Sequence, residues 1–123
     1  MVGLKQKELT NSEMKFAEMI WERAPIASME LVRLSEAAFG WKKSTTFTVL
    51  KTLQEKGIIE NKKAVVSLIM TRDEYLEGHS RNYIEDTFGG SLPKFLTTFM
   101  GSDRLSDDQA KELKRLIDEY KED

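Results

Sequence analysis

The chain has 123 residues, no cysteine, one histidine and a formal net charge of −2, which is enough for one domain, or one small domain with an extension, of ordinary globular composition. Without cysteine there is no disulfide framework, zinc knuckle or thiol nucleophile, and His79 alone makes a histidine-based metal site improbable, so neither metal nor cofactor is expected. No apolar run is long enough for membrane insertion and the N-terminus lacks a signal-peptide pattern, so a cytoplasmic chain is expected.

Residues 1–8 are polar and are expected to fray. Thr10 with Glu13 forms a capping box, and Leu9 with Met14 the accompanying hydrophobic staple. Phe16, Ala17, Ile20 and Ala24 then follow at helical spacing until Pro25 stops the helix. Ser28 is expected to cap a second helix over 29–38, with Leu31, Leu34 and Ala38 inward and Gly40 as its C-terminal glycine.

The third helix, over 44–56, has the unusual face. Thr46, Val49, Leu50 and Leu53 make an apolar stripe. Ser44, Thr45, Thr48, Lys51, Thr52 and Glu55 fall on the other side. A solvated helix face normally mixes Glu with Lys and avoids β-branched threonine. Short hydroxyl side chains suit a surface that packs close to DNA, bonds to phosphate and touches base edges. Gly57 ends this helix. Ile58 and Ile59 then start a strand, Asn61-Lys62-Lys63 is the expected turn, and Val65, Val66, Leu68, Ile69 and Met70 return. Two helices across a tight turn, followed by a hairpin with a lysine-bearing tip, predict a winged helix-turn-helix module.

Thr71 with Glu74 opens a helix reaching Phe88, with Tyr75, Leu76, His79 and Tyr83 on one side, and Gly89-Gly90 breaks it. Ser91 starts another with Pro93 in its first turn, and Leu92, Phe95, Leu96, Phe99 and Met100 make it very apolar. Ser106 with Gln109 opens the last, carrying Ala110, Leu113, Ile117 and Tyr120. The fold class expected is mainly α with a small β-hairpin wing: a winged-helix DNA-binding domain over 1–71 and a helical dimerisation domain over 72–123. The second is too small to bury enough surface alone, so Phe95, Leu96, Phe99, Leu113 and Ile117 need a partner surface, either the N-terminal domain or a second copy. A reader of palindromic DNA needs two-fold symmetry, which favours pairing and assigns them, with Tyr120, to a dimer interface. Charge follows the same division. Trp41 to Lys63 holds six lysines against Glu55 and Glu60, whereas from Asp103 onward eight acids face five basic residues.

The chain resembles the penicillinase-repressor (BlaI/MecI) family of transcriptional regulators. The resemblance rests on Leu9-Thr10-Asn11-Ser12-Glu13, Ile20-Trp21, Gly40-Trp41, Thr45 and Thr48 with Leu53 and Lys56-Gly57, Phe88-Gly89-Gly90-Ser91, Leu105-Ser106 and Glu112-Leu113. It implies a homodimeric repressor on inverted-repeat operators in double-stranded DNA. In antibiotic-responsive members it also implies a membrane sensor protease that triggers cleavage at an Asn-Phe bond. That bond aligns with Thr98-Phe99, where threonine replaces asparagine. The absence of cysteine argues against the copper-responsive mechanism of other relatives. Phe47 stands where a basic residue is usual, and the wing is shorter than usual.

The DNA-contacting set expected is Lys43, Ser44, Thr45, Phe47, Thr48, Lys51, Thr52, Lys62 and Lys63. Phe47 either touches a thymine methyl or turns inward. The alternative is a winged-helix protein-interaction module without DNA binding. An enzyme is disfavoured: Glu30 with Glu36, or Asp107 with Asp108, read as helix-start and surface acids. Tyr75, His79 and Tyr83 read as packing rather than as an effector pocket.

Overall fold

The computed structural model describes residues 8–122; apart from Glu8, the expected frayed start lies outside them. The chain divides into two compact units, 1–82 and 83–123.

In the first unit, α1 (Asn11–Arg23) begins with the Thr10–Glu13 capping box complete in both directions. Short strand β1 (Ile26–Ala27) leads directly into α2 (Ser28–Phe39), which ends at left-handed Gly40. Then come α3 (Lys43–Glu55), β2 (Ile59–Lys62) and β3 (Val65–Leu68). The strands form one antiparallel sheet in the order β1-β3-β2. Helix α4 (Arg72–Phe88) follows, its start closed by reciprocal Thr71–Glu74 hydrogen bonds. Phe16, Ala17 and Ile20 of α1, Leu31 of α2, Leu50 and Leu53 of α3, Ile58, Ile59, Val66 and Tyr75 make one core. Trp21 donates its indole N–H to the Met70 carbonyl at 3.0 Å, and the Leu9 N–H donates to the Tyr75 hydroxyl at 2.9 Å. This is a winged helix-turn-helix domain.

Three local expectations are corrected. Ser28 does not cap α2. The cap position belongs to Ala27, which makes no side-chain capping bond, because the chain runs straight from β1 into the helix. The Ser28 side chain is buried, and its N–H donates to Ala64 O at 2.9 Å. Ala38 is exposed; Ser35 faces the core in its stead, one turn after Leu31. The hairpin turn is Lys63-Ala64, not Asn61-Lys62-Lys63. Pairing of Asn61 with Val66 and of Lys62 with Val65 extends β2 through Lys62, which sets Ile59 and Val66 towards the core. Two residues remain to reverse the chain, and both take positive φ, 54° at Lys63 and 63° at Ala64. That is the geometry of a two-residue turn that favours asparagine and glycine, and an L-residue there costs about 1–2 kcal/mol. Ala64→Gly is therefore expected to raise stability by about 0.5–1 kcal/mol, after the larger unfolded-state entropy of glycine is subtracted. Urea denaturation would register it as a higher midpoint at unchanged slope.

The second unit contains the end of α4, α5 (Leu92–Phe99) and α6 (Asp107–Tyr120). Gly89 and Gly90 both take positive φ between α4 and α5. Ser91 caps α5, and the Ser106–Gln109 capping box opens α6. Tyr83, Phe88, Phe95 and Phe99 form a chain of aromatic contacts with centroids 5.6–6.2 Å apart. No residue of α5 or α6 is fully buried. No helix among the described residues is long and apolar enough to cross a membrane.

Candidate nucleic-acid interface

Helix α3 is anchored by buried Thr46, Leu50 and Leu53. With 3.6 residues per turn, that leaves Ser44, Thr48, Lys51 and Glu55 along the opposite side, with Thr45 and Thr52 beside them. Lys43, Ser44, Thr45, Thr48 and Lys51 are exposed, and Thr52 is half-buried. Phe47 turns towards the body of the unit, packing half-buried against its core.

The hydroxyls of this face have a defined direction. Thr48 Oγ1 donates to Ser44 O at 2.9 Å, and Thr52 Oγ1 donates to Thr48 O at 3.2 Å. Each bonds the carbonyl one turn back, an option open to threonine in a helix.

The lysines fall into two groups. Among the described residues, no carboxylate pairs with Lys42, Lys43, Lys51 or Lys63. Lys62 lies on the outward side of β2 with its ammonium 3.4 Å from Glu60, an exposed pair of little energetic consequence. Lys56 is different. Its ammonium donates to Glu13 Oε1 at 2.6 Å and to Glu8 O at 2.8 Å, and both charged side chains are largely buried. Of the six lysines counted between Trp41 and Lys63, this one ties the end of α3 to the start of α1. Burial raises the Glu13 carboxyl pKa, but the Lys56 hydrogen bond, the Thr10 backbone N–H and the Lys56 charge together bring it below its ordinary value.

In the second unit, Phe95, Leu96 and Leu113 are half-buried. Phe99, Ile117 and Tyr120 are 57%, 53% and 76% exposed. Leu116, absent from the expected interface set, is also exposed; its place three residues after Leu113 puts it on the same side of α6. Thr98 and Phe99 both lie exposed in the last turn of α5. Tyr75 is consumed by the first core, stacked on His79 at 5.6 Å. His79 Nδ1 stands 3.1 Å from Glu8 Oε1 without meeting hydrogen-bond geometry. Glu30 is held by Arg33, which lowers its carboxyl pKa.

This arrangement can be set beside known proteins. The family model described as "Penicillinase repressor" matches residues 9–119. The penicillinase repressor of Bacillus licheniformis is 23% identical over 118 residues, covering 93% of this chain and 92% of that one. The methicillin resistance regulatory protein MecI of Staphylococcus aureus strain Mu50 is 24% identical over 118 residues, covering 92% and 95%. That of Mammaliicoccus sciuri is 23% identical over the same length. With the model spanning both units and these relatives matched nearly end to end, the chain belongs to the penicillinase repressor family.

Proposed function

We propose that the protein is a homodimeric transcriptional repressor that binds inverted-repeat operators in double-stranded DNA. The observation that carries this reading is the outer face of α3: exposed hydroxyls and uncompensated lysines on a helix whose other side is locked into a winged-helix core, in a chain of a repressor family. In this reading α3 lies in the major groove. Ser44, Thr45, Thr48 and Thr52 meet bases and sugar-phosphate, Lys43 and Lys51 neutralise phosphates, and the wing brings Lys62 and Lys63 to the adjoining backbone. Phe47 acts from behind, by fixing the helix on the core. The first unit reads DNA and the second pairs two chains. The pairing is supported by the apolar residues that α5 and α6 leave exposed in a single chain. Repression follows from occupying the operator, and induction from whatever separates the protomers. Thr98 in the asparagine position favours an inducing step other than cleavage at Thr98-Phe99.

Fluorescence anisotropy on the DNA upstream of its own gene, across a salt series and against scrambled duplex, tests the reading. Preference for the upstream duplex with two chains per site supports it; no salt-dependent binding to any duplex defeats it. The same titration ranks the lysines. Each phosphate contact contributes about 0.9 to the slope of log K against log salt, so Lys51→Ala should flatten a dimer's slope by about 1.8. Lys62→Ala should flatten it less, because Glu60 already offsets part of that charge. An unchanged slope in Lys51→Ala would remove Lys51 from the backbone.

A further inference from the structure

We infer that the recognition helix identifies its half-site chiefly through thymine C5-methyl groups, contacted by the γ-methyls of Thr48 and Thr52, and not through guanine. The inference rests on the DNA-reading function proposed above and specifies its chemistry.

Both threonines have turned Oγ1 back onto the helix, where the hydroxyl proton is used by Ser44 O and Thr48 O. What each side chain keeps for a partner is its γ-methyl and the hydroxyl lone pairs. A methyl fits the thymine methyl in the major groove, and a lone pair fits the exocyclic amino groups of adenine or cytosine. Neither fits guanine, which shows only the O6 and N7 acceptors there. The rest of the helix agrees. Its sequence, KSTTFTVLKTLQE, contains no arginine and no asparagine. Its glutamine, Gln54, is in the last turn, seven residues after Phe47 and hence on the Phe47 flank rather than on the hydroxyl face. Glu55, seven residues after Thr48, adds another acceptor to the outer stripe. Lys51 is the cation of that stripe, and with the exposed Ser44 hydroxyl it can donate to guanine O6 and N7; the proposal assigns both to phosphate.

The test uses the full chain. Binding sites are selected from a random duplex library, and the selected site is remade with deoxyuridine for each thymine, which deletes only the methyl, or with 7-deazaguanine for each guanine, which deletes N7. At a contacted thymine the expected loss is about fourfold per half-site, with no change for 7-deazaguanine. Thr48→Ser, which keeps the hydroxyl and removes the methyl, should lose the same factor on thymine DNA and become indifferent to uracil at one position. Thr48→Val, which keeps a methyl, should remain sensitive to uracil. Circular dichroism of both variants checks that α3 is intact. Uracil without effect, together with a tenfold or greater loss on 7-deazaguanine, overturns the inference and moves Lys51 or Ser44 to a base while leaving the repressor reading standing. No enrichment of any sequence and no salt-dependent binding overturn both.

Discussion

Ile117→Asp is expected to leave the first unit folded, to make the protein monomeric, and to lower affinity for an inverted-repeat duplex by about a hundredfold or more. Leu113, Leu116, Ile117 and Tyr120 recur three and four apart on α6, and Ile117 and Tyr120 are more than half exposed in the single chain. Where a second chain covers this surface, as proposed, a carboxylate there would be stripped of water without a partner. Pairing makes the second half-site encounter intramolecular, and such linkage is worth about 10²–10⁴ in affinity. Sedimentation velocity reads the mass, and anisotropy compares a full palindrome with a single half-site. The variant should bind both duplexes alike, and like wild type on the half-site. A dimeric Ile117→Asp with undiminished palindrome affinity would place the protomer contact elsewhere.

Lys56→Met is expected to cost about 2–3 kcal/mol of stability. It leaves the Glu13 carboxylate, 15% exposed in the ion pair, without its cation and the Glu8 carbonyl without its donor; loss of charged hydrogen bonds of this kind falls in that range. Glu13→Gln should cost less, since the amide can still accept from Lys56. The pair also sets a pH dependence. Because the folded-state pKa of Glu13 lies below the ordinary carboxylate value of 4.5, the unfolded chain binds more protons there than the native one. Stability is thus fully present above about pH 5 and is lost as the pH falls through the folded-state value. Urea unfolding from about pH 6 to about pH 3 should show this fall in wild type and a smaller one in Glu13→Gln. Equal falls would show that Glu13 is not the group responsible.

What the sequence made legible was local. The capping boxes at Thr10, Thr71 and Ser106 each involve two residues three apart, and helical periodicity sorted α3 into a buried side and a hydroxyl side. The features it hid depend on distant partners or on single torsions. Strand β1 is two residues long, too short for any periodicity, and exists because Val65 and Val66 pair with it. Lys56 read as one more lysine of a basic cluster, because Glu13 lies 43 residues away in the chain. The wing turn moved to Lys63-Ala64 because cross-strand register outweighed turn propensity. Ser35 displaced Ala38 from the interior because the angle at which α2 meets its neighbours is a tertiary property. At the candidate interface, which α3 side chains face outward could be read from spacing. The direction of their hydroxyl protons could not, since it depends on the rotamer of each threonine.

The bond from the Ser28 N–H to the Ala64 carbonyl, with the two-residue pairing of β1, fastens the wing by its tip as well as by its base. A free hairpin would have to be ordered when it met a duplex, at roughly 1–2 kcal/mol per backbone residue fixed. Here that ordering is already complete in the free chain, so the span from α3 to the wing lysines is a ruler of set length. If α3 and the wing meet a duplex as proposed, groove geometry that does not match the ruler would have to be met by deforming the DNA, and the stiffness between those two contacts would become part of what is recognised.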